Sequence, residues 1–453
     1  MAKDLKREDY LKLVGIVLLG FALRLIVFTF FIKEPEKHFL PGGQLGDAFW
    51  YDRIAVNLMN GNGFSAALTE PYLPDSIRTP IYPVFLTIIY CLFGHKIYFA
   101  ILAQIFISLI TAILVFNLSK LIWRSTTAGI ASMSLFIVDP DTLFISNYLL
   151  TETLFTFFVT ISLFLISKQW DNESWALLII SFIIMAIATL TRPIFIYLPM
   201  VIMGVVSVRY YKLGRLKDYI WIIILSLLSY FALISIWCYR NYRTFGVFEI
   251  SPIGSYNLFY YGTAGIESQR LGISIDEARK KLDDTYFNDT KFLSLNFPKK
   301  LSIARNYALK HITKYPYYFS KITVNNIIAT FLPLAETIKQ VLGESKKTGL
   351  RDIFEQSGIK QGLIHLCKID KSILMLLIGT LSFLLFIYVT VIVGIVRAIK
   401  KNHYYIIVLF TSVIAYLVII PAITGYSDAR FRIPAMPFMC VFSGFAFLRS
   451  NRK

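Results

Sequence analysis

Acidic and arginine side chains are the groups in this sequence suited to moving a proton or holding an anion, and they are few. Only 16% of the 453 residues are charged. Away from the lysine-rich connections they form a short series. Asp47, Asp52, Arg53 and Arg78 come first, followed by Asp139 and Asp141, Glu152, Arg192, Arg240 and Arg243, and finally Asp428, Arg430 and Arg432. A carboxylate can accept a proton. A guanidinium offers a planar fork that matches phosphate or carboxylate oxygens and stays charged near lipid. Asp47 is the sharpest of the acids, in Gly46-Asp47-Ala48-Phe49-Trp50-Tyr51. The residues after it can form an interfacial helix, with Trp50, Ile54 and Leu58 on one stripe set to lie in the headgroups. Asp47 at the start of that helix is either a plain cap for residues 48–58 or a general base at the membrane surface. The residue pattern leaves both open. His38, His95, His311, His365 and His403 show no ligand spacing, so a zinc site is not expected. Cys91, Cys238, Cys367 and Cys440 are scattered, and are read as small core residues.

The elements that must position these groups are apolar helices. Hydrophobic residues make up 56% of the chain, against about 45–50% in soluble domains. They gather in runs such as Val14–Ile32, Tyr98–Leu118, Trp175–Leu190, Tyr219–Ile236 and Ser372–Val396, of the length that crosses a hydrocarbon core as a helix. Alternating strands are absent, so helices rather than a barrel must satisfy the backbone in lipid. Val14–Ile32 follows a basic start but shows no cleavable pattern, and reads as a retained anchor. With the N-terminus cytoplasmic, ten crossings follow at about 12–32, 97–119, 126–138, 148–167, 174–190, 193–208, 219–238, 372–396, 404–421 and 433–448. Both termini are then cytoplasmic. Pro80–Phe93 is short for a span and reads as a re-entrant or interfacial helix.

Charge checks the orientation. The net charge of +18 sits largely in short loops, which argues against a nucleic-acid partner. Short segments placed inside carry sixteen Lys and Arg, among them Lys120, Arg124, Lys168, Arg209, Arg215 and Lys400, against only Arg192, Arg430 and Arg432 outside. That bias is what sets topology. Three regions result: a membrane module of residues 1–239 with a first outer loop at 33–96, an extracytoplasmic segment at 240–371, and C-terminal helices at 372–453. The middle region is mainly helical, with turn signals at Ser251–Gly254, a helical pattern in Leu301–His311 ended by Pro316, and Tyr317–Leu332 apolar enough to lie on the membrane surface. It holds 20 Lys and Arg against 12 Asp and Glu, a surplus that suits an acidic acceptor or anionic headgroups. On this topology the acids and arginines outside the cytoplasmic loops gather at one face, and ionisable residues at membrane depth are functional candidates by default. Arg24, in mid-span, reads as a structural ion pair or polar contact.

The ordered set of short motifs resembles the GT-C membrane glycosyltransferases, in the branch of the protein mannosyltransferases and lipid A aminoarabinose transferases. It begins with Asp47-x-x-x-Tyr51-x-x-x-Ala55-x-x-Leu58 and Gly61-x-Gly63-Phe64-Ser65, then Arg78-Thr79-Pro80-x-Tyr82-Pro83. Thr151-Glu152, Thr191-Arg192-Pro193, Trp237-x-x-Arg240-Asn241-Tyr242-x-x-Phe245-Gly246 and Arg430-Phe431-Arg432-x-Pro434 complete it. The fold this implies is an all-α polytopic membrane protein of about ten transmembrane helices, with interfacial helices in the first outer loop.

The function it implies is transfer of a hexosyl or pentosyl group from a polyprenyl-phosphate-linked donor to a hydroxyl. The acceptor is a lipid, glycan or protein, reached at the outer face of the cytoplasmic membrane. Asp47 matches the catalytic acid of the first outer loop, and Arg78 matches the basic residue that binds the lipid phosphate. Tyr82, Glu152, Arg192, Arg240, Arg430 and Arg432 are further substrate-binding candidates. One displacement without a covalent intermediate would invert the anomeric centre. Asp47 is followed by Ala48 rather than a second acid, which departs from members with a two-carboxylate or metal-bound site. Asp139 and Asp141 are weak candidates for a divalent cation, against the plainer reading of a polar span terminus broken by Pro140. Some outer tyrosines are candidates to stack on sugar. The competing class is a transporter or flippase of lipid-linked sugar; it would call for paired halves with helices broken at matching midplane positions, and neither is present in the sequence.

Overall fold

The computed structural model describes residues 6–32, 46–286, 294–334 and 370–448. His38, His365 and Cys367 lie outside the described residues. Among the described residues the architecture is all helical, with one isolated bridge between Ser65 and Pro74. In chain order the helices are α1 (Arg7–Ile32), α2 (Asp47–Met59), α3 (Ile81–Phe93), α4 (Ile97–Trp123), α5 (Thr126–Val138), α6 (Pro140–Ile145), α7 (Glu152–Asn172), α8 (Trp175–Thr191), α9 (Leu198–Lys212) and α10 (Leu216–Phe245). A further set follows: α11 (Ile253–Asn257), a π-helical turn at Leu258–Thr263, α12 (Ala264–Leu271), α13 (Ile275–Tyr286), α14 (Phe297–Lys314) and α15 (Pro316–Phe331). The chain then forms α16 (Lys371–Lys400), α17 (Tyr404–Ile423), a 3-10 segment at Ala429–Ala435 and α18 (Met436–Ala446).

The protein is a polytopic helical membrane protein. Among the described residues seven helices are long and apolar enough to cross a membrane: α1, α4, α7, α9 with the turn before it, α10, α16 and α17. The other three expected crossings are helical but short, at 13 residues for α5, 17 for α8 and 11 for α18. Sequence punctuation sets these ends. Ser125 caps α5 by accepting the Ala128 N–H, and Asp139 ends α5 while capping α6 through the Thr142 N–H. Pro140 at the first position of α6 suits a new helix start but not the continuation of an old one.

α18 is enclosed on every side, with each residue from Met436 to Phe445 buried. Small residues allow this. A Cβ at Gly394 would collide with the Phe442 carbonyl, and one at Gly444 with Ser132 and the Ala128 carbonyl. Close backbone approach through such residues is how helices associate where lipid is as apolar as the side chains. Arg24 meets polar atoms rather than an acid, donating to Ser108 Oγ at 3.1 Å and to the carbonyls of Gly20 and Ile137.

One local expectation is corrected. Ile54 is fully buried, and Ala48, Asp52 and Ala55 point inward with it, while Trp50 and Leu58 keep partial exposure, so the stripe does not lie whole in the headgroups. α3 meets the neighbouring face of α2, where Tyr82 packs on Tyr51 and Tyr90 donates to Asp52. α15 docks on α17 and the loop after it, where Asn326 donates to the Ala422 carbonyl at 3.2 Å and Thr330 bonds Ser427 at 2.7 Å.

Candidate active site

The helices alternate in direction, so the start of α7, the end of α8, the end of α17 and the loop before α3 meet at one end of the bundle. The opposite end holds basic connections, where Arg124 pairs with Asp171 at 2.7 Å and Arg215 pairs with Glu173.

Asp47 is the first residue of α2, after Gly46 in extended backbone. Its Oδ1 accepts from the Arg78 guanidinium at 2.9 Å, and its Oδ2 lies 4.0 Å from Arg430. The cap-only reading is therefore insufficient, since both oxygens face arginines. Arg78 is aimed by its own loop. Asp75 Oδ1 accepts from the Ile77 and Arg78 N–H groups, and Thr79 donates to the Thr191 carbonyl at 3.1 Å. That last bond ties the loop to the end of α8, where Arg192 follows as the residue after the helix.

Arg192 reaches Glu152 Oε1 at 2.6 Å and Thr151 at 3.2 Å, and packs over the rings of Phe155 and Phe431. Glu152 opens α7, where unpaired helix N–H groups favour a carboxylate. Arg430 joins the two halves, lying 3.8 Å from Glu152 and 3.2 Å from Asp428. Burial pushes the Asp428 carboxyl up, but Arg430, the Tyr426 hydroxyl and the Arg430 N–H outweigh it. Asp428 is held below its ordinary range. Three carboxylates and three guanidiniums thus interlock. Exposure separates their roles: the Asp47 side chain is 46% exposed and that of Glu152 only 1%. Asp47 can meet a substrate, whereas Glu152 can only hold arginines.

Other expected members stand elsewhere. Tyr82 is fully buried, donates to Gln104 at 2.6 Å and packs edge-on under Tyr51, so it supports the site from below. Arg240 donates to the Asp75 carbonyl at 2.9 Å and lies over the rings of Phe64, Trp237 and Phe245. It secures the Arg78 loop from the far side. Arg432 is wholly buried, paired with Asp141 and donating to the Thr330 and Leu332 carbonyls at 2.8 Å. Asp139 and Asp141 are wholly buried, with Thr142, Arg432 and the Leu334 N–H as partners, and Asp139 Oδ1 has no hydrogen-bond partner among the described residues. Neither opens onto the cluster.

Tyr426 and Tyr261 join a site in which the sequence already places Asp428, two residues before Arg430. No sequence signal marks Tyr261: it belongs to the π-helical turn, and its ring meets that of Tyr426 at 4.7 Å. Gly425, at φ +95°, lets the loop after α17 lie directly on the Gly262 backbone, a contact no side chain could share.

A second polar group braces the base of this end. Asp52 Oδ1 accepts from Tyr90 at 2.6 Å and faces His95 Nε2 at 2.8 Å. That hydrogen bond, aided by Asp52's charge and opposed by burial, raises His95 above its ordinary value of 6.5. A raised histidine stabilises the fold below its unfolded value, and that contribution is lost as pH rises through the folded value. Thermal midpoints in detergent should therefore fall as pH rises from below 6.5 to well above it, and Asp52→Asn should flatten that slope. An unchanged slope in Asp52→Asn would remove His95 from the account.

The chain is similar to known proteins in part of its sequence and in its fold. Residues 77–237 match the family model described as dolichyl-phosphate-mannose-protein mannosyltransferase. No curated protein matches the chain in sequence. In fold it is similar to the archaeal oligosaccharyltransferase AglB from Archaeoglobus fulgidus in complex with an inhibitory peptide and a dolichol-phosphate. The TM-score is 0.52 at 12% identity, over 96% of this chain and 50% of that one. The same enzyme tethered with an acceptor peptide gives 0.51 at 12% identity, over 97% and 49%. ArnT from Cupriavidus metallidurans bound to undecaprenyl phosphate gives 0.42 at 13% identity, over 95% and 77%. The chain spans about half the length of the oligosaccharyltransferase. It resembles the GT-C membrane glycosyltransferases in sequence over residues 77–237 and in fold over nearly its whole length.

Proposed function

We propose that this protein transfers a hexosyl or pentosyl group from a polyprenyl-phosphate-linked donor to a hydroxyl, at the outer face of the cytoplasmic membrane. The acceptor oxygen attacks the anomeric carbon as the carbon–oxygen bond to phosphate breaks. The proton goes to Asp47, and polyprenyl phosphate leaves with the electron pair. A single displacement inverts the anomeric centre.

The observation that carries this reading is that Arg78 and Arg430 face the exposed Asp47 carboxylate, with Arg192 joined to them through Glu152. Their charge is aimed where negative charge develops on the leaving phosphate, the arrangement that contributes most to lowering a barrier. An arriving phosphate would compete with Asp47 for Arg78 and Arg430, and so release the carboxylate oxygens to take the proton. Glu152 and Asp428 keep Arg192 and Arg430 in place throughout. The basic opposite end of the bundle supports placing this end outside.

The test is an in vitro transfer assay with a panel of polyprenyl-phosphate sugars and membrane extracts as acceptor source. Inertness toward every donor in the panel would sink the proposal. Within it, Arg78→Ala should weaken the lipid donor and free polyprenyl phosphate alike, by about 1.5–3 kcal/mol for a charge-assisted contact. Product inhibition that stays at the wild-type level would move the phosphate role to Arg192 or Arg430.

A further inference from the structure

Beyond the catalytic cluster, the helices of the outer segment enclose an open cavity of about 410 Å³ between α12, α13 and the α14–α15 junction. That is within the range that takes a small-molecule-sized group. Its cationic lining is Arg270, Lys281, Lys310 and Lys314, against the single acid Glu267. Glu267 is already engaged by Arg270 at 2.8 Å and by His311 at 2.6 Å. Among the described residues, Lys281, Lys310 and Lys314 have no carboxylate within 4.0 Å. Among the described residues, three ammonium groups therefore line a cavity whose one carboxylate is already engaged.

The wall between the lysines is aromatic. Tyr307, Lys310, His311 and Lys314 recur at helical spacing and form one face of α14. Tyr286 meets Tyr307 at 4.2 Å between ring centres, Tyr307 meets His311 at 5.4 Å, and His311 meets Tyr315 at 4.9 Å. A continuous rail of rings beside free ammonium groups suits a pyranose that carries an acid: its C–H face stacks on the rings while its anionic group meets the lysines. A flat headgroup surface would need the charges but not an enclosed rail.

The cavity is also coupled to the catalytic cluster. Phe259, in the π-helical turn, packs on Tyr286 at 5.9 Å and Tyr307 at 6.3 Å. Two residues on, Tyr261 stacks on Tyr426, which bonds Asp428, the partner of Arg430. One turn thus packs behind the tyrosine wall of the cavity and beside the cluster, and π-helical turns are frequent at functional sites.

We infer that this cavity is an acceptor subsite for an acidic saccharide, one whose sugar ring bears a carboxylate or phosphate. The inference rests on the proposed transferase function, and its test reads binding alone so that the two can fail separately. The full chain in neutral detergent is titrated with a hyaluronan tetrasaccharide, with maltotetraose as the neutral counterpart and inorganic phosphate as the bare anion. The acidic sugar should bind best and weaken with salt. The double variant K310Q/K314Q should weaken it about tenfold, the scale of one charge-assisted contact, while free polyprenyl phosphate binds as before. Tyr307→Ala should weaken both sugars, and Tyr307→Phe neither. Asp47→Asn should bind the tetrasaccharide like wild type, whatever becomes of transfer. Equal binding of maltotetraose, or no change in K310Q/K314Q, would overturn the inference. So would a loss in K310Q/K314Q confined to phosphatidylglycerol nanodiscs, which would assign the lysines to a lipid surface.

Discussion

Asp47→Asn is expected to lower the rate of sugar transfer by about 10²–10⁴-fold, the range for a positioned general base. Asparagine keeps the shape and one acceptor oxygen, so the hydrogen bond from Arg78 at 2.9 Å has a partner and the loop stays in place. What disappears is the site for the transferred proton. The loss should therefore fall on turnover, with donor affinity close to wild type. Glu152→Gln makes the contrast. Its side chain is 1% exposed and pairs with Arg192 and Arg430, so its loss should disturb donor binding at least as much as turnover. Initial rates against donor concentration separate the two. Retention of more than about a third of the wild-type rate in Asp47→Asn would remove it as the base.

The largest expected loss of stability lies deeper. Arg432→Met should destabilise the fold by about 3–5 kcal/mol, because it leaves Asp141 as an uncompensated charge in a buried place. Arg432 and Asp141 are each wholly buried and paired, and Arg432 also holds two carbonyls of the α15 end. Adding Asp141→Leu should recover much of the loss, since removing both members of a buried pair is far milder than removing one. Thermal unfolding in detergent reads this directly. A single variant as stable as wild type would show that the pair contributes nothing.

The membrane helices were legible in the sequence because apolar composition demands them. A helix lies at each of the ten expected runs, but among the described residues seven are long and apolar enough to cross, and α18 has only 11 residues. The site was legible in part. Asp47, Arg78, Glu152, Arg192 and Arg430 meet at one end because they flank helices that must end there. Roles within the set were not legible, since a role depends on which distant partner arrives. Arg430 and Arg432 are two residues apart, yet a 3-10 segment sends one to the open cluster and the other to Asp141, 291 residues away in sequence. Arg240 likewise finds the Asp75 carbonyl, 165 residues distant. The stripe of Trp50, Ile54 and Leu58 misled for a related reason. An apolar face reads the same whether lipid or protein covers it, and here Ile54 in its middle is buried in the protein.

The enclosure of α18 has a consequence for how the protein is made. A chain leaves the ribosome from its N-terminus, so the other described helices are synthesised before Met436–Ala446 appears. Until then the groove at Ser132 and Gly394 lacks the helix that fills it. The segment that delivers α18 is the same one that brings Arg430 to Asp47 and Glu152. Maturation of the reactive centre is thereby tied to closure of the bundle. A nascent or truncated chain stopped before this segment would carry Asp47 and Arg78 but not the arginine that joins them to Glu152, and so would be silent until assembly is complete.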